Sequence, residues 1–362
     1  MRVLAFGSYD CVRHPRMAVL MDGLREQGVQ VDECNVPLRL DTADRVRMLR
    51  QPWRLPLLAV ELARTWLALA RRARRLPKPD AVLVGYLGHF DVLLARRLFR
   101  HTPVVHDMLV FASDTARDRG AGGLKQRLLR GLDAAAVASS DLVVVDTEEH
   151  RQALPADRRA DGVVVAVGAP SAWTGPPPRA RPGPLRVVFF GLFTPLQGAP
   201  VIGDALRLLA RGVQVTMIGI GQDLARCRAG AGDVAGVAWR DWVAPEDLPA
   251  LVSQHDVCLG IFSAEGKGTR VVPNKVFQGA AAGCAIVTSD TPPQRRVLHD
   301  AALFVPPGDP AALAGALEGL AADPDRLLGL RTAAWELART DFVPSAVVGP
   351  LLARLTLERP AH

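Results

Sequence analysis

Three residues that could bind an anion share one face of a predicted helix in the second half of the chain. Lys275, Gln278 and Gly279 lie at positions i, i+3 and i+4, on the same side of the first turns. Asn274 directly precedes a run of helix formers and predicts a helix over 275–282. Free N–H groups and the positive dipole end at its start favour an anion, so we expect a phosphate-bearing ligand. The alternative is a capped helix with a solvated lysine.

Two glycine-containing loops follow predicted strands of the same half. The loop 191–198 follows strand 186–191, and Gly219-Ile220-Gly221 follows strand 213–218. Ligands of parallel α/β sheets bind at the carboxyl ends of the strands. These loops and the start of helix 275–282 therefore predict a diphosphate cradle. Neither loop has the GxGxxG pattern of a dinucleotide site or a Walker pattern, and each alone is typical of an ordinary turn.

Lysine is rare in this chain and concentrated where the cradle is predicted. The sequence has four lysines against forty arginines. Lys267 and Lys275 lie in the segment 263–275, which also carries Arg270. Positive charge in a glycine-containing loop before a helix predicts a clamp on a charged donor. A solvated, mobile loop is the alternative.

Titratable residues follow neighbouring predicted strands in the first half of the chain. They are His89, Asp91, His106, Asp107 and Asp114. Groups of this kind can transfer protons or stabilise a developing cation, and we select His89, Asp107 and Asp114 as the catalytic candidates. The alternatives are that Asp91 and Asp114 cap helices and that His106 packs in the core. No Ser/His/Asp order and no metal-ligand spacing such as HExxH is present.

The elements that must position these residues are predicted from apolar periodicity. In the first half the strands are 2–7, 29–34, 80–84, 103–106, 141–146 and 163–167, and the helices 15–27, 55–76, 91–99 and 123–138. In the second half the strands are 186–191, 213–218, 237–242, 256–261, 284–288 and 302–305. The helices there are 199–211, 246–254, 275–282, 292–298, 310–322 and a stretch 325–357 broken near its prolines.

The two halves begin alike. The interval from Val3 to Val29 equals the interval from Val187 to Val213, and each interval leads from a strand ending in glycine to the sequence Gly-Val-Gln-Val. Two βαβ units in the same register predict two Rossmann-like, doubly wound α/β domains that face each other across a cleft.

Domain boundaries follow from a proline- and glycine-rich segment between the halves. Residues 171–184 cannot form a helix or a central strand and are predicted to be a linker. We therefore predict an N-terminal domain over 1–170 and a C-terminal domain over 185–340. A helical tail over 341–362 is expected to pack back toward the N-terminal domain.

Composition limits the compartment. The 362 residues are 49% hydrophobic and 22% charged, as in a globular protein. Five scattered cysteines without a CxxC pair indicate neither a disulfide framework nor a zinc site, and favour a reducing cytosol. Met1 leads into an apolar strand without a signal-peptide pattern. No uncharged apolar run approaches the roughly 18 residues that span a bilayer. We expect a cytoplasmic protein.

Positive charge is concentrated in one segment. Residues 45–78 contain ten basic residues and one acid, Glu61, whereas the whole chain has a net charge of +7. Apolar residues recur at three- and four-residue steps between Leu55 and Leu76, which predicts an amphipathic helix. This helix packs on its own domain, or makes peripheral contact with anionic lipid at the inner face of the plasma membrane. Nucleic acid is disfavoured because aromatic residues are only 5% of the chain.

Several motifs together resemble the GT-B glycosyltransferases, and the second half resembles glycosyltransferase family 4. The loop from Gly191 to Gly198 is similar to that family's donor-diphosphate loop. The segment 217–221 is similar to its strand–GxG element, and 239–245 to the loop that holds the nucleobase. The turn 306–309 is similar to its common Pro-Pro-Gly-Asp-Pro turn. The first half matches more loosely, through 86–91, 111–115 and 140–147.

The resemblance implies a nucleotide-sugar co-substrate such as a UDP- or GDP-sugar, retention of anomeric configuration, and no metal or other cofactor. It places the donor in the C-terminal domain. The donor-binding residues implied are Gly7, Gly191, Pro195, Gln197, Gly198, Gly219, Gly221, Trp242, Val243, Lys267, Arg270, Asn274, Lys275 and Gln278.

Four positions depart from the family pattern. Gln278 and Arg270 stand where two glutamates are usual, and Leu192 and Gln197 where the diphosphate loop usually carries Arg and Lys. Lys275, together with Arg270 and Lys267, would then supply the positive charge. A subset of the family with a Pro-Leu-x-Gly loop and a Pro-Asn-Lys…Gln helix shares these features.

The expected activity is that of a hexosyltransferase-type enzyme, which moves a sugar to an acceptor hydroxyl. The acceptor would be a bacterial secondary metabolite or a lipid-linked or cell-envelope glycan. Two other classes stay open: a catalytically silent binding or partner subunit, and an epimerase or pseudo-glycoside synthase of the same fold.

Overall fold

The structure, a computed structural model, describes residues 1–11, 14–37, 55–109, 111–118, 120, 122–209 and 212–357. Within these ranges the chain forms two six-stranded sheets, one in each half, with parallel neighbouring strands. The predicted α/β architecture is thereby confirmed. None of the helices in these ranges is both long and apolar enough to cross a lipid bilayer.

The first sheet has the strand order β2-β1-β3-β4-β5-β6. Its strands are β1 (Arg2–Gly7), β2 (Gln30–Asn35), β3 (Ala81–Val84), β4 (Val104–Asp107), β5 (Leu142–Val145) and β6 (Gly162–Val164). Its helices are α1 (Arg16–Glu26), α2 (Leu55–Ala73), α3 (Asp91–Leu98), α4 (Ala112–Asp118), α5 (Gly123–Ala138) and α6 (Glu148–Ala153).

The second sheet has the order β12-β11-β10-β7-β8-β9. Its strands are β7 (Leu185–Phe190), β8 (Val213–Ile218), β9 (Val237–Arg240), β10 (Val257–Leu259), β11 (Ala285–Ser289) and β12 (Ala302–Val305). Its helices are α7 (Ala199–Leu208), α8 (Leu224–Ala231), α9 (Leu248–Val252), α10 (Asn274–Ala281), α11 (Pro292–Leu298), α12 (Pro310–Ala322) and α13 (Pro324–Asp341). The chain ends with α14 (Pro344–Val347) and α15 (Gly349–Leu357).

Alternate strand residues face two separate cores, one on each side of a sheet. On β1, Val3 and Ala5 pack in the core that contains α1, whereas Leu4 and Phe6 pack in the core that contains α2 and α3. Burial on both faces explains why the inner strands are continuous apolar runs rather than alternating ones. Helices on both faces leave the carboxyl edge of each sheet for the loops that carry the candidate site.

Three short helices are absent from the sequence-based prediction. α4, α6 and α8 have seven, six and eight residues. Helices this short show too few turns for an apolar stripe to be recognised. The prediction also places the end of α2 at residue 76 and of β6 at residue 167, three residues too late in each case.

The C-terminal helices pack against the first half of the chain. Val347 and Leu351 lie in the same core as β1 and α1. α14 approaches α1 at Gly23, where an added Cβ would lie 2.1 Å from the carbonyl oxygen of Pro344. A side chain at this position would therefore separate the two helices.

The segment 171–184 is fixed to the second half of the chain. The ring of Trp173 stacks on that of Phe190, with 5.5 Å between the centroids. Trp335 Nε1 donates a hydrogen bond of 2.9 Å to the carbonyl of Gly175. The predicted linker therefore has only part of its length free to act as a hinge.

Candidate active site

The loops after β7, β8 and β9 lie side by side at the carboxyl edge of the second sheet. The N–H of Gly191 donates to Ile218, and that of Gly219 to Arg240. An added Cβ at Gly219, which has φ +131°, would lie 1.9 Å from the carbonyl oxygen of Gly191. A Cβ at Gly221 would lie 2.3 Å from a backbone oxygen of the same loop. These two glycines therefore permit close packing between the loops.

We predict that Gly219→Ala lowers the free energy of unfolding by about 2–4 kcal/mol, because the added carbon cannot fit without displacing the loop after β7. Denaturant unfolding measures this change. Gly315→Ala is the matched control, since nothing lies within 4 Å of a Cβ added there in α12. The control should stabilise the protein by up to about 1 kcal/mol. Equal effects of both substitutions would contradict the packing role.

Gly198 shapes the diphosphate loop, and its amide is already bonded. Its N–H donates to Pro195 at 3.1 Å, and its φ of +63° joins a 3-10 turn over Pro195–Gln197 to α7. An added Cβ would lie 2.4 Å from the amide nitrogen of Ser263. The place of Gly198 among the donor-binding residues stays a prediction.

Lys275 occupies the centre of this edge. It lies in the first turn of α10, and its side chain is only 4% exposed. The Nζ atom donates to Gln197 Oε1 at 2.5 Å and lies 3.6 Å from the ring centroid of Phe189. A Cβ added at Gly191 would lie 3.5 Å from the same Nζ. The predicted neighbours Gly191, Gln197 and Lys275 thus lie together.

The Lys275 ammonium forms no ion pair with a carboxylate among the residues that the structure describes. Burial lowers its pKa from 10.5 to about 7, and the thiol of Cys258 opposes this shift. Burying a cation with only an amide and an aromatic face as neighbours costs free energy. An anionic ligand would offset this cost, so the site favours an anion.

The start of α10 adds further polar groups. Pro273, which precedes the helix, provides no side-chain cap for its first amides. Asn274 is partly exposed and Gln278 is 8% exposed. Neither side chain forms a hydrogen bond within the described part of the chain, and a ligand could bind both.

Lys267 lies in a packed turn. The 3-10 turn Gly266–Thr269 contacts the turn Pro195–Gln197, and a Cβ added at Gly268 would lie 2.6 Å from Ser263 Cβ. The Lys267 side chain is buried. The alternative of a solvated, mobile loop is therefore wrong at this position.

Arg270 and Asp114 join the two halves. The Nη2 atom of Arg270, predicted on the donor side, lies 3.1 Å from Oδ2 of Asp114, predicted on the acceptor side. The hydroxyl of Thr147 donates to the Arg270 carbonyl at 2.8 Å. The Arg270 charge is thus shared with a carboxylate, whereas Lys275 has no acidic partner in the described part of this edge.

Asp107 is a positioning residue in this conformation. It is fully buried, and its carboxylate oxygens lie 3.3 Å from Arg16 Nε. Arg16 also donates to the carbonyls of Val165 and Ala166. Burial raises the pKa of Asp107, and the guanidinium opposes this shift. No part of Asp107 is accessible in this conformation, and its direct role in catalysis stays a prediction.

His89 is also enclosed. Its Nε2 atom lies 3.1 Å from Asp133 Oδ1, and Asp133 accepts the backbone N–H groups of Ala112 and Ser113 at the start of α4. Its ring packs edge-on against that of His106 at 5.5 Å. His106 is the core residue that the alternative interpretation expected. Burial lowers its pKa well below 6.5, and the nearby His89 contributes a smaller lowering.

Gly7 lies at the carboxyl end of β1 in the first sheet. An added Cβ would lie 3.1 Å from Asp91 Oδ2, which accepts both the N–H and the hydroxyl of Ser8. Asp91 therefore fixes the loop after β1, rather than capping α3 as a separate N-cap residue.

Three exposed apolar side chains lie at the edge of the second sheet, and of these the sequence analysis proposed only Trp242 as a donor-binding residue. Leu192 follows β7, Ile220 follows β8 and Trp242 follows β9, and they are 55%, 54% and 74% exposed. Val243, beside Trp242, is partly buried against the core below. Exposed apolar side chains at successive strand ends form a surface for a flat or apolar ligand group.

In the described ranges, no group of three or more His, Cys, Asp or Glu side chains is arranged so that it could hold a metal ion.

Comparisons with known proteins agree with this architecture. Residues 184–323 match the family model described as glycosyl transferases group 1. Comparison with curated protein sequences gives no match.

Solved structures match over nearly the whole chain. HepE (Alr3699) of Anabaena, in complex with UDP and glucose, has a TM-score of 0.69 and 13% identity over 99% of this chain and 100% of that chain. Sucrose-phosphate synthase (tll1590) from Thermosynechococcus elongatus has a TM-score of 0.69 and 16% identity over 99% of each chain. The UDP-forming α,α-trehalose-phosphate synthase from Burkholderia vietnamiensis has a TM-score of 0.64 and 14% identity over 98% of each. At these low identities, the TM-scores establish a shared GT-B fold.

Proposed function

We propose that this chain is a glycosyltransferase that binds a nucleotide-diphosphate sugar at the carboxyl edge of its second sheet. The observation that carries the proposal is Lys275, a buried cation without a carboxylate partner at the loop after β7. The family match of 184–323 and the fold shared with sugar-nucleotide-dependent enzymes support it.

Sugar transfer requires the protein to neutralise the charge of the leaving diphosphate and to accommodate positive charge on the sugar. Lys275 and the uncapped start of α10 would bind the diphosphate. Gln278 would bind ribose hydroxyls, since an amide donates and accepts. Asp114, which forms an ion pair with Arg270 of the second half, is proposed to stabilise the cationic sugar. The transfer is proposed to retain anomeric configuration and to need no metal.

The nucleobase is proposed to rest on the surface formed by Leu192, Ile220 and Trp242. Stacking on an exposed aromatic ring contributes about 1–3 kcal/mol per base. We predict that Trp242→Ala weakens binding of UDP-glucose or GDP-mannose about tenfold or more, measured by calorimetric titration. Because Trp242 is 74% exposed, the same substitution should leave the free energy of unfolding unchanged. Unchanged affinity would place the base elsewhere.

Turnover separates this proposal from the two other classes. The protein is incubated with radiolabelled UDP- and GDP-sugars, with and without acceptor panels, and release of nucleoside diphosphate and transfer of label are followed. Acceptor-dependent transfer with retained configuration by NMR supports the proposal. Binding without turnover across the panel favours a binding subunit, and an altered sugar still joined to nucleotide indicates an epimerase. No binding of any nucleotide sugar contradicts all three.

The acceptor is proposed to be lipid-linked, with a small secondary metabolite as the second candidate. α2 exposes Leu57, Val60 and Leu67 on a helix that also carries Arg71 and Arg72 near its end. α5, which lies on the same face of the first sheet, exposes two further leucines. The basic residues 45–54 of the predicted segment lie outside the described residues. Exposed apolar and basic side chains on helices of one face of the first sheet fit an anionic lipid surface.

Vesicle sedimentation tests the lipid proposal. Wild type should sediment with phosphatidylglycerol vesicles and not with phosphatidylcholine vesicles. A variant with Arg71, Arg72, Arg74 and Arg75 changed to Gln should lose this binding while its unfolding curve stays the same. Equal sedimentation of both proteins would contradict membrane contact, and would favour the small-molecule acceptor.

A further inference from the structure

We infer that Lys275 takes up a proton when a diphosphate binds, so that donor affinity is set by pH. This inference rests on the proposed donor site, and adds that donor binding is coupled to protonation of Lys275 through the geometry of the site. Its basis is the environment of one nitrogen atom.

The environment of Lys275 opposes charge before a ligand binds. Its side chain is 96% buried, and the polar partner of Nζ is the neutral amide oxygen of Gln197. On the other side is the face of Phe189. Cys258 on β10 is the titratable side chain that opposes the lowering of the Lys275 pKa, and its Sγ atom lies 3.5 Å from the Lys275 carbonyl oxygen. Its own thiol stays neutral, since burial raises its pKa well above 9.

The other elements packed on α10 add no compensating charge beside Nζ. β11 contributes Ala285–Ser289, which has no acidic or basic side chain. Arg331 of α13 lies at the far end of α10. There it donates a hydrogen bond to the carbonyl of Gly283 and forms an ion pair with Asp256. In the ligand-free protein the pKa of Lys275 is therefore lowered to about 7. Its amine is then largely uncharged above pH 7.

A diphosphate at the Gly191 loop would reverse this balance. An anion within about 4–6 Å of a buried amine favours its charged form and raises its pKa. The proton comes from solvent, and no covalent bond changes. With the free pKa at about 7, uptake should be about 0.9 proton at pH 8 and about 0.1 at pH 6. Affinity should fall as pH rises, by about eightfold between pH 7.5 and 8.5, and stay almost constant below about pH 6.

Calorimetric titration in buffers of different ionisation enthalpy measures this coupling. The probes are UDP-glucose and GDP-mannose, whose diesterified diphosphates do not titrate here, unlike the terminal phosphate of UDP with its pKa of about 6. Titrations at pH 6 in MES, PIPES and Bis-Tris, and at pH 8 in HEPES, Tricine and Tris, give the number of protons as the slope of the observed enthalpy against the buffer ionisation enthalpy.

Two variants assign the proton. Lys275→Arg keeps a charge that does not titrate, so it should bind at pH 8 with a slope near zero. Lys78→Met, the matched control on an exposed lysine, should keep the wild-type slope. If Lys275→Arg fails to fold, the wild-type protein alone tests the inference. Its slope should then change with pH, with a midpoint near pH 7.

The outcomes separate the inference from the proposed function. Binding by wild type with no proton uptake at pH 8 overturns the inference and leaves the donor site intact. An unchanged slope in Lys275→Arg overturns it as well, because another group then takes the proton. Failure of wild type to bind any nucleotide sugar overturns both.

Discussion

Lys275→Met should make the protein more stable and abolish its binding of nucleotide sugars. Methionine fills the same space without a charge, so a buried ammonium that lacks an acidic partner is removed. Lowering the pKa of Lys275 from 10.5 to about 7 corresponds to several kcal/mol, and we expect a gain of about 2–4 kcal/mol at pH 7.

The sign follows from proton binding. Between pH 7 and pH 10.5 the unfolded lysine carries a proton that the native lysine does not, so wild-type stability rises with pH in this interval. The advantage of Lys275→Met is therefore complete below pH 7 and disappears near pH 10.5. Urea unfolding at pH 7 and pH 9.5 measures it, with Lys78→Met as control. A destabilised variant, or one that keeps wild-type donor affinity, would contradict the role of Lys275.

Arg16→Met should lower the free energy of unfolding by about 3–5 kcal/mol, because it leaves Asp107 buried without its partner. It also removes the donors that bind the carbonyls of Val165 and Ala166. Chemical denaturation measures the loss. Such a change is large against the total stability of about 5–15 kcal/mol that is usual for a domain.

A second substitution tests whether Asp107 acts through structure. Arg16→Met combined with Asp107→Leu removes both charges and should recover more than half of the lost stability. If Asp107 only positions its surroundings, the double variant should keep transfer activity within about tenfold of wild type, at unchanged donor KM. A stable double variant without transfer activity would return Asp107 to a direct role in the reaction.

Much of the fold was predictable because parallel sheets leave a strong signal in the sequence. β3 and β11 are continuous buried runs, and the equal offsets from Val3 and Val187 reveal the repeated βαβ unit. α4 was not predictable because a tertiary partner binds its start, and α6 was not predictable because six residues show no clear apolar stripe. Asp133 binds the first amides of α4, which a sequence alone does not show.

The candidate site was predictable in its residues and less so in their roles. Spacing on α10 identified Lys275, and the structure brings it to Gln197 as the loop pattern implied. Burial of Asp107 was missed because its partner Arg16 is 91 residues away. A signal existed, since Arg16 shares the buried face of α1 with Val19 and Leu20.

Hydrogen–deuterium exchange with and without UDP-glucose or GDP-mannose tests the donor site most directly. Binding should slow exchange in 191–198, 219–221, 241–243 and 266–278 of wild type, and leave these segments unchanged in Lys275→Met. Protection confined to the first sheet, or no protection with any nucleotide sugar, would contradict a donor site at the edge of the second sheet.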